Sequence, residues 1–129
     1  MHQISIKSNF SSAHNLREYK GKCENLHGHN WNVEVFIEAG FLNKEGMVLD
    51  FKDAKIYLDK VINGLDHKYI NEIPPFDKLN PTSENIAQFI FERLNMELSD
   101  LNLKVKRVDV WETENSKAAY YEDTQIRQI

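Results

Sequence analysis

The stretch WNVEVFIE, residues 31–38, limits this chain's folding choices more than any other. Trp31, Val33, Val35 and Ile37 fall on odd numbers, with Asn32, Glu34 and Glu38 between them. A period of two belongs to a strand that buries one face. Residues 3–10 repeat the pattern, with Ile4, Ile6 and Phe10 on even numbers and Gln3, Ser5, Lys7 and Asn9 on odd ones. The polar segment NLREYKGKCEN, containing Gly21, lies between the two runs and reads as a long hairpin connection.

Helical spacing follows. Beyond Gly46, the residues Phe51, Ala54, Leu58, Val61, Ile62 and Leu65 recur on one helical face, with Asp50 as N-cap and Gly64 as C-cap. After the loop NEIPPFDKLNP, Thr82 caps a second helix whose stripe is Ile86, Phe89, Ile90, Leu94 and Leu98. The tail LKVKRVDVWETENSKAAYYEDTQI is extended again: Val105, Val108, Val110 and Trp111 precede the polar turn NSK, and Ala118 to Tyr121 follow it. The parity change between Val105 and Val108 predicts a bulge. The order ββααββ predicts an α+β fold, an antiparallel four-stranded sheet with two helices on one face. A length of 129 residues fits a single domain over 1–129.

Composition removes several functional classes. Twenty acids against sixteen bases give a net charge of −4 with both signs scattered, so no basic face offers itself to nucleic acid. A small anionic substrate stays compatible with a few local cations. No apolar run approaches the roughly 18 residues that span a bilayer. The single cysteine cannot form an internal disulfide, and the start MHQISIKSNF has neither a basic n-region nor an apolar h-region, so the expected compartment is the cytoplasm.

The chemistry concentrates in CENLHGHNW, residues 23–31. If the second strand already runs at His27, period two puts His27 and His29 on the side of Trp31 and Val33, with Gly28 leaving room for a close approach. The even-numbered face of the first strand leads to His14. Antiparallel pairing then makes three imidazoles converge, a donor set suited to zinc with a fourth position left to water or substrate. His2, near the terminus, reads as an ordinary surface histidine. Cys23 is open to three readings: a fourth ligand that closes the site, a thiolate base or nucleophile beside a cation, or a plain free cysteine. Its neighbours Lys22 and Glu24 oppose full burial. Asp66 next to His67 can orient an imidazole for proton transfer, although an exposed helix end would read the same. Glu112 shares parity with Val108 and Val110, and a carboxylate on an apolar face suits a ligand with two adjacent N–H donors; a frayed strand end is the plain alternative.

Cys23-x3-His27-Gly28-His29, with SSAHNL around His14 and GMVLDF, LDHKYIN, NPTSEN and WET downstream, resembles the 6-pyruvoyltetrahydropterin synthase and 6-carboxytetrahydropterin synthase family from about Ile4 to Tyr121. The resemblance implies the tunnelling fold, in which trimers close their sheets into a barrel and two trimers stack as a homohexamer with active sites between subunits. It implies zinc on His14, His27 and His29, Cys23 as the proton-abstracting group, Asp66 and His67 as the relay, and Glu112, Thr82 and Ser83 as pterin contacts. The implied reaction is that of a lyase on 7,8-dihydroneopterin triphosphate. The short chain with its compact Asn15 to Lys22 loop looks like the branch that releases acetaldehyde and triphosphate and forms 6-carboxy-5,6,7,8-tetrahydropterin, a queuosine precursor. Lys22, Arg17 and Lys20 are candidate triphosphate cations.

Two further readings accompany this one. Besides the 6-pyruvoyl product, Glu24-x2-His27-Gly28-His29 resembles a folate-pathway variant that cleaves the same pterin to 6-hydroxymethyl-dihydropterin with Glu24 as base. In a different class stands a non-catalytic zinc-stabilised assembly module, with Cys23 as the closing ligand, which unfolds on chelation.

Overall fold

The structure, a computed structural model, describes residues 1–123; the last six residues of the expected 1–129 domain lie outside the described residues. Strand β1 spans His2–His14 and β2 His27–Ala39, helix α1 spans Phe51–Ile62 and α2 Ser83–Leu98, and β3 (Lys104–Thr113) and β4 (Ser116–Tyr120) complete the order ββααββ. The strands form one antiparallel sheet in the order β1-β2-β3-β4. The expected α+β architecture is the one found.

The alternation of the first two strands becomes the two faces of this sheet. Ile6, Ser8, Phe10, Ser12 and His14 are buried on β1, as are Trp31, Val33, Val35 and Ile37 on β2. Both helices pack on that face, α1 on β1 and α2 on β3 and β4, through Ala54, Leu58, Ile62, Ile86, Ala87, Ile90, Leu94 and Leu98. The Phe10 and Trp31 rings stack at 5.7 Å across the register pair Phe10–Trp31. The bulge expected between Val105 and Val108 is present: Phe36 pairs with Arg107 and Ile37 with Val105, skipping Lys106. A second irregularity lies between Trp111 and Thr113, which pair with Lys117 and Ser116 and leave Glu112 outside the ladder.

Two local expectations are corrected. Phe51 is 63% exposed, because it opens α1 before the helix has turned onto the sheet. Asn63, in right-handed conformation, takes the C-cap position in place of Gly64, and the left-handed residue of this turn is His67 at φ 56°.

The long connection between β1 and β2 is fastened to the segment between the helices. Asn15 and Asn71 exchange two bonds, Asn15 N–H to Asn71 Oδ1 at 3.1 Å and Asn71 Nδ2 to the Asn15 carbonyl at 2.8 Å. Tyr69 donates to Asn15 Oδ1 at 2.6 Å. Residues 67–69 run beside the end of β1, with His67 N–H on the Ser11 carbonyl and Ala13 N–H on the Lys68 carbonyl. This edge pairing carries Asp66 and His67 to the end of the strand that ends in His14.

Candidate metal centre

β2 does begin at His27, and the register pairs it with His14 and pairs His29 with Ser12. Period two then points His14, His27 and His29 to one side. Their rings stand edge to face with centroids 4.7 to 5.2 Å apart, and the His14 and His29 rings also lie against Trp31 at 4.8 and 5.2 Å.

Backbone carbonyls set two of the tautomers. His14 donates from Nδ1 to the Pro81 carbonyl at 2.8 Å, and His27 from Nδ1 to the Asn25 carbonyl at 2.8 Å. Each bond leaves Nε2 with its lone pair free, the arrangement found around metal-bound imidazoles. The Nε2 atoms of His14 and His29 are buried without a hydrogen-bond partner. Burial holds the His29 imidazole below its ordinary pKa, with the neighbouring rings adding to the effect and Glu112 opposing it. Buried polar atoms are seldom left unpartnered. Two such nitrogens, grouped with ligand atoms of His27 and Glu112 all within 4.8 Å of one another, fit a divalent cation.

Glu112, the carboxylate that the resemblance gives as a pterin contact, comes up beside the histidines. Its Oε1 lies 3.2 Å from His14 Nε2 and 3.3 Å from His29 Nε2, inside the imidazole group. Strand parity was the available signal, because Glu112 shares the face of Val108 and Val110; its withdrawal from the ladder supplies the reach.

Asp66 and His67 form a pair, Asp66 Oδ2 to His67 Nδ1 at 2.9 Å. The other carboxylate oxygen accepts from the Ser11 N–H at 2.9 Å. That backbone bond, then His67, holds Asp66 below the usual carboxylate range. The His67 side chain is 81% exposed.

Thr82 caps α2, its Oγ1 accepting from the Asn85 N–H at 3.1 Å, and Ser83 opens the helix. Both follow Pro81 in the chain, whose carbonyl accepts from His14 Nδ1. Cys23 is exposed and lies outside the ligand group. Glu24 is tied into the loop, accepting from the Leu16 N–H at 3.1 Å, while its Oε1 stands 3.9 Å from His27 Nδ1. Arg17 is committed to carbonyl oxygens of Asn71 and Phe76 at 3.2 and 2.5 Å. Sequence reasoning passed over Pro81, Ser11 and Asn71, which act through backbone groups or through partners more than fifty residues away.

A helix-backed antiparallel sheet with a three-histidine cluster at the paired ends of its first two strands defines an α+β protein equipped for a metal centre. The chain belongs to the 6-pyruvoyl tetrahydropterin synthase family, whose description matches residues 3–123. It is 38% identical to 6-carboxy-5,6,7,8-tetrahydropterin synthase of Haemophilus influenzae, over 95% of this chain and 100% of that one. It is 37% identical to dihydroneopterin monophosphate aldolase of Pyrococcus furiosus, over 85% of this chain and 89% of the relative. Among solved structures, 6-pyruvoyl tetrahydropterin synthase of Caenorhabditis elegans superimposes with a TM-score of 0.82 at 27% identity, covering 95% of this chain and 96% of that one. Among the described residues no helix is long and apolar enough to cross a membrane.

Proposed function

We propose that this protein is a zinc-dependent 6-carboxy-5,6,7,8-tetrahydropterin synthase, a cytoplasmic lyase that converts 7,8-dihydroneopterin triphosphate and water to 6-carboxytetrahydropterin, acetaldehyde and triphosphate for 7-deazaguanine (queuosine) synthesis. The observation that carries the reading is the trio His14, His27 and His29 with two orphaned Nε2 atoms aimed at one spot. The Haemophilus relative supports the choice of branch.

Zinc held by the three imidazoles supplies Lewis-acid chemistry, making carbon-bound protons beside the side-chain hydroxyls more acidic. Cys23 takes such a proton at Sγ. His67 donates from Nδ1 to Asp66, which leaves its Nε2 as the atom that passes a proton to or from substrate. Glu112 accepts from the amino and ring N–H edge of the pterin, and Thr82 and Ser83 border the same ligand. Cys23 and His67 are exposed in the single subunit. Their enclosure comes with self-association as a homohexamer of two trimers, in which the outer strands β1 and β4 pair between subunits and the sheets close into a barrel.

A second reading has its own support. Glu24 lies 3.9 Å from His27 Nδ1, and a relative bears the name of an aldolase; cleavage to 6-hydroxymethyl-dihydropterin with Glu24 as base uses the same centre. The assembly-module reading loses its closing ligand, because Cys23 stands outside the group and Glu112 inside it.

The deciding experiment incubates zinc-loaded protein with 7,8-dihydroneopterin triphosphate, identifies pterins by mass and assays acetaldehyde. Formation of 6-carboxytetrahydropterin with acetaldehyde is expected. A 6-hydroxymethyl product would transfer the base to Glu24, a 6-pyruvoyl product without acetaldehyde would change the branch, and no turnover with metal bound would remove the enzyme reading.

A further inference from the structure

We infer that Ser12 is a positioning residue for the Asp66–His67 pair: its buried hydroxyl bridges the two ends of the turn that carries the pair and so keeps the His67 ring on Asp66. This role rests on the reading of Asp66 and His67 as the proton relay, and it supplies what holds that relay in place.

Even-numbered residues of β1 face the core, where Ile6 and Phe10 are apolar, so a serine buried on that face needs hydrogen-bond partners. Ser8 finds one in the Asp59 carboxylate at 2.8 Å. Ser12, 7% exposed, turns to main chain instead. Its Oγ donates to the Leu65 carbonyl and accepts from the Lys68 N–H, the latter at 3.2 Å. Leu65 and Lys68 are the first and fourth residues of the turn Leu65-Asp66-His67-Lys68, and in an ordinary β-turn such a carbonyl and N–H bond directly. Here a hydroxyl stands between them, with Asp66 and His67 as the two central residues.

The surroundings of this hydroxyl are main chain held by other main chain. The Ser11 N–H reaches Asp66 Oδ1 at 2.9 Å, the His67 N–H reaches the Ser11 carbonyl at 2.6 Å, and the Ala13 N–H reaches the Lys68 carbonyl at 3.0 Å. Ser12 itself sits in the β1–β2 ladder opposite His29, and its carbonyl accepts from Nε1 of the buried Trp31 at 3.2 Å. The hydroxyl therefore works from a fixed base. Among the described hydrogen bonds between β1 and residues 65–68, only those of Ser12 use a side chain of the strand.

His67 has a φ of 56°, a left-handed conformation that a residue with a Cβ seldom adopts unless its surroundings hold it there. Without the Ser12 oxygen, the Leu65 carbonyl and the Lys68 N–H lose their common partner, and the turn contracts toward a direct bond between them. Asp66 and His67 are re-aimed by that contraction, and the 2.9 Å approach of His67 Nδ1 to Asp66 Oδ2 is lost. That approach is what places the ring proton on Nδ1 and leaves Nε2 for proton transfer.

The test uses the full-length, zinc-loaded protein and reads two quantities, the His67 tautomer and the steady-state constants with 7,8-dihydroneopterin triphosphate. In 15N spectra of histidine-labelled protein, with the His67 signal identified by its absence in His67→Gln, wild type is expected to carry the proton on Nδ1. Ser12→Ala is expected to move a large share of it to Nε2, to keep KM within about twofold, and to lower kcat about 10- to 100-fold. Ser12→Thr, which keeps the hydroxyl, is expected to recover the wild-type tautomer and most of kcat. A serine that merely stabilises the fold would lower the melting temperature of Ser12→Ala and leave the tautomer and kcat unchanged. That result overturns the inference, as does a fall in kcat with no change of tautomer. Absence of turnover in wild type removes the enzyme reading alone, because the tautomer comparison still decides whether Ser12 holds the pair. Should Ser12→Ala not fold, Ser12→Cys takes its place: a thiol donates weakly, so a mixed tautomer and an intermediate kcat are expected, and wild-type values for both refute the inference.

Discussion

His14 and Pro81 are joined by a bond from Nδ1 to a backbone carbonyl at 2.8 Å. It ties the last residue of β1 to the residue preceding the N-cap of α2. The tautomer that leaves His14 Nε2 for a metal is therefore set by main chain, which cannot titrate. The ring is at once a candidate ligand and part of the core, at 2% exposure and 4.8 Å from Trp31.

This dual role separates two otherwise similar variants. Both His14→Ala and His27→Ala should lose the metal. His14→Ala should also destabilise the metal-free fold by about 2–4 kcal/mol, since it opens a cavity and strands the Pro81 carbonyl. His27 is 35% exposed, and its loss should cost less than about 1 kcal/mol. Urea unfolding of chelator-treated proteins measures both, and equal losses would count against a core role for His14.

Arg17 makes a structural prediction where sequence offered a phosphate contact. Its guanidinium, near the start of the β1–β2 connection, holds the carbonyls of Asn71 and Phe76. Arg17→Ala should lower stability by about 2–3 kcal/mol, and Arg17→Lys should recover little of it, because an ammonium lacks the planar fork. An intact fold with weakened triphosphate binding, read by calorimetry, would return the residue to the substrate.

Asp66 gives a pH dependence. The Ser11 N–H, then His67, lower its pKa in the folded protein, so the unfolded chain takes up a proton first as pH falls. The stability Asp66 contributes is present in full above its unfolded pKa of about 3.9 and is lost as pH falls through the lower folded value. Asp66→Asn should therefore bring the urea midpoints at pH 7 and pH 3 closer together. It should also lower turnover at neutral pH, where His67 loses an ionised partner. A variant with the wild-type acid slope would show that the bond from Ser11 does not discriminate between the two protonation states.

Cys23 and Glu24 are adjacent but held differently: Cys23 is free and exposed, while Glu24 receives the Leu16 N–H. Cys23→Ala should abolish formation of 6-carboxytetrahydropterin with little change in melting temperature. Glu24→Gln keeps an acceptor for Leu16 and removes the carboxylate, so it tests base chemistry without breaking the loop. Unchanged product ratios in Glu24→Gln, read by mass spectrometry, would end the second reading.

Chelation distinguishes a catalytic centre from a structural one. Activity should vanish while the far-UV circular dichroism persists, because the core under the sheet is built from Phe10, Trp31, Leu58, Ile90 and their neighbours and does not need the ion. Collapse of the fold on chelation would favour the assembly module.

The sequence by itself determined what repeats along one element. Alternation placed His14 on the face of Ile6 and Phe10 and placed His27 and His29 on the face of Trp31, because successive side chains of a strand point to opposite sides. Helical spacing separated the buried Ala54, Leu58 and Ile62 from the rest of α1. Phe51 and Gly64 were misread because an element's ends depend on what surrounds them. Only the tertiary structure decided which distant atoms meet: Pro81 behind His14, Ser11 on Asp66, the carbonyls around Arg17, and Glu112 among the imidazoles. These contacts bridge segments tens of residues apart and depend on strand register, in β3 on the two skipped residues Lys106 and Glu112. Periodicity within one segment carries no information about register against another, and a shift of one residue would send the carboxylate to the opposite face of the sheet.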